Sequence, residues 1–492
     1  MASVRERDRL RREPCLRPRP LVTSRAGARP SATQERPSRT NVDNKEPSPP
    51  LLNGLDDLLR PFHEAESPRS EFRVGTEAEK FGVDSELRPV SFDGPHGVLR
   101  VLEALSESFG WVAKREVPDA PPIALVRGDA SITLEPACQL ELSGAPLADI
   151  HATRAEMDQH LAELRQVSEP LGLTWLGLGF HPLATLGELP RVPKLRYPIM
   201  ERYLPSVGAR GLDMMKRTCT VQANLDFESE ADAMRKLRVS LRIQPIVTAM
   251  FANSPWHEGR HRGRVGERPD VWLHMDPPRT GLLPFAWSEG ARYQDYVAWA
   301  LEAPMFLIVR DGRVVENTGQ RFSDFMANGY QGARATRADW ETHLNTLFPE
   351  VRLKRTLEWR GADNQRRDLV CALPALARGL LYDEVALDRA EALASRLSYD
   401  EVLAARVDIT VRGLRAELGG RTVGEWADEL LTIAEEGLDR LDVRDAHGRT
   451  ERVHLVPLRA LVDAGACPAD FLRAALPEDQ PDPRAIVELT RV

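Results

Sequence analysis

The stretch GTEAEKFG, residues 75–82, sets two carboxylates, Glu77 and Glu79, one residue apart in a segment that otherwise reads as buried strand. In an extended strand, residues two apart point to the same face. Both charges therefore crowd one side, and Phe72, Val74, Thr76 and Ala78 take the other. Two like charges side by side raise each other's pKa and weaken a fold unless a cation sits between them. A strand whose polar face is simply wet gives the same pattern.

Three further segments repeat the habit. SITLEPACQLELSG, residues 131–144, reads as a strand with Glu135, Ala137, Gln139 and Glu141 on one face and Cys138, Leu140 and Leu142 on the other. Pro136, which lacks an N–H, marks an edge or a bulge beside Glu135. KRTCTVQANLDF, residues 216–227, alternates more cleanly: Thr218, Thr220, Gln222 and Asn224 against Cys219, Val221, Ala223 and Leu225. That is how a strand lining a cleft would look, and also how a solvated sheet face would look. In RLKRTLEWRGAD, residues 352–363, Thr356, Glu358 and Arg360 oppose Leu353, Leu357 and Trp359. Glu358 and Arg360 could serve a metal and a phosphate side by side, or form a cross-strand ion pair.

Taken together, Glu77, Glu79, Glu135, Glu141 and Glu358 form an oxygen-only set on faces opposite apolar ones. Such a set suits a hard cation, Mg²⁺ or Mn²⁺, and so much charge in one place calls for more than one ion. Magnesium at such sites usually carries nucleotide phosphates. The chain has no G-x-x-x-x-G-K-[ST], no H-E-x-x-H and no C-x-x-C, and the LGLGF run at 176–180 is too short for a dinucleotide fingerprint.

Composition bounds the rest. The chain has 492 residues, 42% hydrophobic and 28% charged, with a net charge of −8. That balance argues against a general nucleic-acid binder. No apolar run approaches the ~20 residues of a membrane-spanning helix. The five cysteines, Cys15, Cys138, Cys219, Cys371 and Cys467, are odd in number and widely spread. They fit structural thiols in a reducing, cytoplasmic compartment.

Residues 1–50, rich in Arg, Pro and Ser, are expected to be a disordered extension; their acids argue against a transit peptide. Order is expected from 51 to 492 as a single catalytic domain. A first helix over Leu51–Leu59 should end with help from Pro61. Strands are expected at 71–83, 123–127, 131–143, 173–180, 216–227, 305–318 and 351–360. Helices are expected at 97–109, 146–168, 230–251, 338–347 and 372–381, with a mostly helical stretch from 385 to 440. Elements of the two kinds do not alternate strictly, so the fold class is α+β with a mainly antiparallel sheet.

GTEAEKFG, LEPACQLELSGAP, GLDMMKRTCTVQANLDF, FANSPW, RTGLLPF, FPEVRLKR and EWRGAD, in this order, resemble the plant-type glutamate–cysteine ligases, which also occur in bacteria. The resemblance runs from about residue 55 to about 480. It implies a glutamine-synthetase-like fold, a curved antiparallel sheet forming an open funnel with helices packed outside. It implies ATP-dependent joining of the γ-carboxylate of L-glutamate to the amine of L-cysteine, the first step of glutathione synthesis, with ATP as co-substrate and two or three Mg²⁺ ions. A γ-glutamyl ligase using another amine is the variant reading, because these motifs fix the acceptor pocket least.

The resemblance assigns Glu77, Glu79, Glu135, Glu141 and Glu358 to the metals and Gln222 to a metal or phosphate. It assigns Arg360 to the transferring phosphoryl group, and Arg196 in KLRYPIM and Arg268 in ERPDVW to the glutamate. Phe306 stands where plant members place a tyrosine beside cysteine, and Thr218 and Asn224 line the cleft. Arg154 and Asn317 stand where cysteines of the two plant regulatory disulfides would be, leaving Cys371 alone. Redox switching is therefore not expected, and the chain should act as a monomer or weak homodimer with small-molecule substrates alone. Two other classes compete. A two-metal phosphoesterase usually mixes Asp and His with Glu, and a non-catalytic nucleotide-binding regulator would not need the intact set.

Overall fold

In a computed structural model, which describes residues 50–492, the segment around Glu77 and Glu79 becomes the central strand of the molecule. The strands of three residues or more are β1 (Val74–Val83), β2 (Val112–Lys114), β3 (Ala124–Arg127), β4 (Ala130–Leu134), β5 (Leu140–Ser143), β6 (Thr174–Leu176), β7 (Val221–Leu225), β8 (Leu307–Arg310), β9 (Arg313–Glu316), β10 (Val351–Leu353) and β11 (Leu357–Trp359). The main sheet runs β10-β11-β7-β1-β5-β4-β3-β2, and β6 pairs with the far end of β1. Every pairing in it is antiparallel. Helices cover its apolar side, and the class is α+β. The described residues lie in one compact unit, Pro49–Val492; the expected disordered extension lies outside them.

Alternation along β1 does what period two requires. Val74, Thr76 and Ala78 are buried, and Glu77 and Glu79 take the more open face. Behind the sheet pack α1 (Ile150–Ser168), α2 (Glu230–Met250) and α3 (Ala372–Leu381), with α4 (Val423–Leu441) outside α3. Every residue of α3 is buried, which its sequence, ALPALARGLL, suits. It meets α4 where Gly379 faces Gly437: a Cβ on Gly437 would lie 2.0 Å from the Gly379 carbonyl oxygen. Glycine there allows the two backbones to touch.

Several expected elements are shorter or broken. The strand expected over 131–143 is a hairpin, because residues 135–139 turn between β4 and β5. Pro136 cannot donate to a ladder, Cys138 adopts a left-handed φ of 65°, and the Glu135 N–H donates to the Gln139 carbonyl across the turn. Glu135 therefore sits on the turn and does not share a strand face with Glu141. The strand expected over 216–227 begins only at Val221, since Gly211–Arg217 is helical. The segment at 351–360 is likewise a hairpin, with Arg352 opposite Glu358, and that at 305–318 is the separate hairpin β8–β9. The first helix runs Leu55–His63 and contains Pro61 instead of ending at it.

Candidate active site

Register brings the four motifs onto one sheet face. Glu77 lies opposite Ser143 on β5 and Gln222 on β7, and Glu79 lies opposite Glu141. Glu141 also faces Thr133 on β4, and Glu358 faces Asn224. Glu77, Glu79, Glu141, Gln222 and Glu358 are thus neighbours across four adjacent strands.

Their electrostatics divide them. Glu79 accepts a hydrogen bond from the Thr220 amide at 2.9 Å. Burial, then the Glu135 charge, pushes its carboxyl up to about 8. Glu141, 8% exposed, accepts from the Thr133 hydroxyl at 2.5 Å. Burial and then the charges of Glu77, Glu135 and Glu79 hold its carboxyl well above the carboxylate range. Glu77 accepts from Asn224 Nδ2 at 2.9 Å. No ion pair joins Glu77, Glu79, Glu135 or Glu141 to a cation among the described residues.

Glu358 differs. Fully buried, it takes a two-pronged bond from Arg352, at 2.7 and 2.9 Å, and a third from Arg360 Nη1 at 2.5 Å. These cations hold its carboxyl well below the carboxylate range despite burial. Both its oxygens are occupied by guanidinium, which the assignment to metal did not anticipate. Among the described residues, no three Asp, Glu, His or Cys side chains come close enough together to hold one metal ion.

Beside Glu79 opens a cavity of about 410 Å³ lined by Glu79, Glu135, Arg196, Thr218, Arg268, Phe306 and Arg360, among others. Arg196 enters it at the start of the helix Tyr197–Val207, beside the Tyr197 ring, and makes no ion pair among the described residues. Arg268, 2% exposed, donates to the Arg360 carbonyl at 2.8 Å, and its Nε is buried with no partner. Its nearest carboxylate is Asp363, 3.9 Å away. Arg360 donates to Gln222 Oε1 at 2.7 Å, which aims the guanidinium along the glutamate face. Phe306 is buried against the Arg279 guanidinium, 4.1 Å from its ring centre.

Two expected positions differ in detail. Thr218 reaches the cavity wall, but its hydroxyl donates back to the Met214 carbonyl at 2.6 Å. Asn224 lies outside the cavity, bridging Glu77 and the Thr356 hydroxyl.

Sequence reasoning passed over Asp363, Arg352 and Lys354. Asp363 closes the EWRGAD motif and receives the Asn253 amide at 2.8 Å and the Ser254 hydroxyl at 2.6 Å. Its signal was the otherwise unexplained Gly179: a Cβ there would lie 2.2 Å from the Asp363 carboxyl carbon. The signal for Arg352 and Lys354 was the basic run RLKR one turn before Glu358.

Among the described residues no cysteine is paired. Cys138, Cys219, Cys371 and Cys467 are buried and unpaired. Arg154 bonds Asp158 at 2.9 Å, and Asn317 is buried beside Met305.

Comparison with known proteins agrees with this arrangement. The family model for glutamate-cysteine ligase family 2 matches residues 73–488. The chain is 41% identical over 421 residues to "Glutamate--cysteine ligase B, chloroplastic" of Oryza sativa subsp. japonica, covering 85% of this chain and 83% of that one. It is 42% identical over 408 residues to the chloroplastic glutamate--cysteine ligase of Medicago truncatula, covering 82% and 78%. Among solved structures, the glutamate--cysteine ligase of Francisella tularensis in complex with AMP superposes with a TM-score of 0.50 at 13% identity, over 85% of this chain and 87% of that one. With sheet, glutamate face and sequence in agreement, the chain belongs to glutamate-cysteine ligase family 2.

Proposed function

We propose that residues 51–492 form one catalytic domain that joins the γ-carboxylate of L-glutamate to the amine of L-cysteine at the expense of ATP. One observation carries the reading most: half-buried Glu79 and buried Glu141, neither in an ion pair among the described residues, share a sheet face with Arg360, beside a cavity lined by Arg196 and by Arg268, whose Nε has no partner.

A carboxylate does not acylate an amine in water. The γ-carboxylate oxygen first attacks the γ-phosphorus of ATP, ADP leaves, and a γ-glutamyl phosphate forms. The cysteine amine then attacks the acyl carbon, phosphate departs, and the amine loses its proton. Such transfers depend on positioning and charge neutralisation, not on a protein nucleophile. Arg196 and Arg268 are suited to grip the α-carboxylate and hold the γ-carboxylate towards the sheet. Arg360, aimed by Gln222 and Glu358, is suited to the phosphoryl oxygens. Phe306 brings an apolar ring to the acceptor side, where a hydroxyl contact is absent.

The donor set fits hard divalent cations: Glu77, Glu79, Glu135 and Glu141, with Gln222 beside them, offer oxygen alone. Burial first and neighbouring carboxylates second raise the Glu79 and Glu141 carboxyls, and a bound cation would offset both. Two or three Mg²⁺ ions, or Mn²⁺, would supply neutralisation of the phosphate oxygens when bound. Four buried, unpaired thiols suit a cytoplasmic, reducing setting. No helix among the described residues is long and apolar enough to cross a membrane. The enzyme is read as a monomer or weak homodimer without nucleic-acid partners.

Purified protein given Mg-ATP and L-glutamate should release ADP rapidly only when an amine acceptor is added, with L-cysteine the best. Equal turnover with a different amine would move the reading to the γ-glutamyl ligase variant. ADP release without glutamate would replace it with a hydrolase.

A further inference from the structure

Glu358 is one anion among three cations. Arg352 alone neutralises it: its Nε and Nη2 take both carboxylate oxygens, and its Nη1 is spent on the carbonyls of Asn345 and Leu347 at 3.2 and 3.0 Å. Arg360 adds a bond to Oε1. That leaves Lys354, whose Nζ lies 3.5 Å from Oε2, beyond a normal charge-assisted bond. No hydrogen bond from Nζ is formed among the described residues. One negative charge against three positive leaves two positive charges on Arg360 and Lys354.

Their placement is directional. Lys354 starts the turn between β10 and β11, where its amide donates to the Thr356 carbonyl. Its side chain is 25% exposed, whereas that of Glu358 is fully buried. Arg352 stands opposite Glu358 in the hairpin and Lys354 is two residues on, its Nζ 3.5 Å from Glu358, so the ammonium lies on the glutamate-bearing face. A third brace on Glu358 would not need a free ammonium there, because the carboxylate already receives three donors.

We propose that Lys354 binds the polyphosphate of the nucleotide. With Arg360 it forms a cationic strip along the phosphate chain, and Arg352 neutralises and fixes Glu358 beneath it. The assignment rests on the ligase reading above and adds to it the residue that recognises the phosphates. Three free N–H donors on a compact charge suit non-bridging phosphate oxygens. Nothing in the strip reads a base or a sugar, so the recognised chemistry is the polyphosphate itself.

The test compares Lys354→Met and Lys354→Arg with wild type in the complete reaction, using inorganic tripolyphosphate as a competitor of ATP. Loss of one charge-assisted contact should raise the KM for ATP about tenfold to a hundredfold and weaken tripolyphosphate inhibition in parallel. The KM for glutamate should stay within about twofold, and arginine should restore most of the ATP affinity. An unchanged KM for ATP in a variant that still makes γ-glutamylcysteine would overturn this assignment and leave the ligase reading intact. Equal rises in all three KM values with a lowered Tm would make Lys354 a structural brace and also overturn it. Wild-type protein that makes no γ-glutamyl product would overturn the underlying reading instead. Should the methionine variant not fold, acetylation of wild-type Lys354 decides. Mg-ATP or tripolyphosphate should protect it and glutamate alone should not; equal modification in all cases refutes the role.

Discussion

Glu79 on β1 and Glu141 on β5 are directly paired residues of one antiparallel ladder, a half-buried and a buried carboxylate facing the same side. Like charges directly opposite in a sheet oppose folding, and no cation pairs with either one among the described residues. The arrangement is intelligible if the positive charge arrives with the substrates.

Glu141→Gln should lower kcat by more than about a hundredfold, because a buried oxygen ligand and its charge are lost. Tm in the absence of metal should hold or rise, since glutamine removes a carboxylate disfavoured first by burial and then by Glu77, Glu135 and Glu79, and can still accept from Thr133. Thermal melts with activity assays check this; a large fall in Tm would make Glu141 a structural residue.

Glu79 gives a pH signature. Its carboxyl rises from 4.5 to about 8 on folding, so the folded state holds the proton more tightly than the unfolded chain. The stabilisation this brings is complete below 4.5 and lost as pH climbs through 8. With chelator present, Tm should fall across that window, and Glu79→Gln should flatten the fall. Magnesium should counteract it most at the alkaline end, where the carboxylate is charged. A metal-free Tm that does not fall between these limits contradicts the cluster.

The site was partly legible in the sequence because strands impose period two: Glu77 and Glu79 needed only their apolar neighbours to be placed on one face. Convergence of Glu141, Gln222 and Glu358 was not, since register between distant strands depends on turns. The turn at residues 135–139 shows why. Counting by twos through Pro136 put Glu135 on a strand face, whereas the proline and the left-handed Cys138 reverse the chain there. Arg352 was missed for a related reason: only the tight hairpin sets it opposite Glu358. Asp363 was quoted within its motif, but its contacts with Asn253, Ser254 and Arg268 join segments about a hundred residues apart.

Asp363 positions Arg268, so Asp363→Asn should raise the KM for glutamate about tenfold while kcat changes less. The amide oxygen can still accept from the Asn253 amide and the Ser254 hydroxyl, which separates loss of charge from loss of fold. An unchanged KM for glutamate would show that Arg268 does not need this carboxylate.

Gly179→Ala should act through the same residue. Its Cβ would collide with Asp363, whose Cβ and Oδ2 both lie 2.5 Å away. Overpacking at such a point destabilises by about 1–3 kcal/mol, and glutamate affinity should fall with stability. Wild-type Tm and KM together would contradict this packing.

The thiols give a prediction of their own. Burial raises Cys138 and Cys219 beyond the ordinary thiol range, and pushes Cys371 up to about 12. Such thiols are inert to thiolate-directed reagents in the native state. Ellman's reagent should therefore modify none of Cys138, Cys219, Cys371 or Cys467 before denaturation. Activity should be the same after reduction or mild oxidation, and a reversible loss on reduction would contradict this.

Manganese binding followed by electron paramagnetic resonance, with ADP and phosphate present, tests the carboxylate face most directly. At least two ions per chain should bind to the wild-type protein, and Glu79→Gln and Glu141→Gln should each lose ion binding without unfolding. Wild-type occupancy no greater than the nucleotide alone provides, or full occupancy in both variants, would contradict the account at its root.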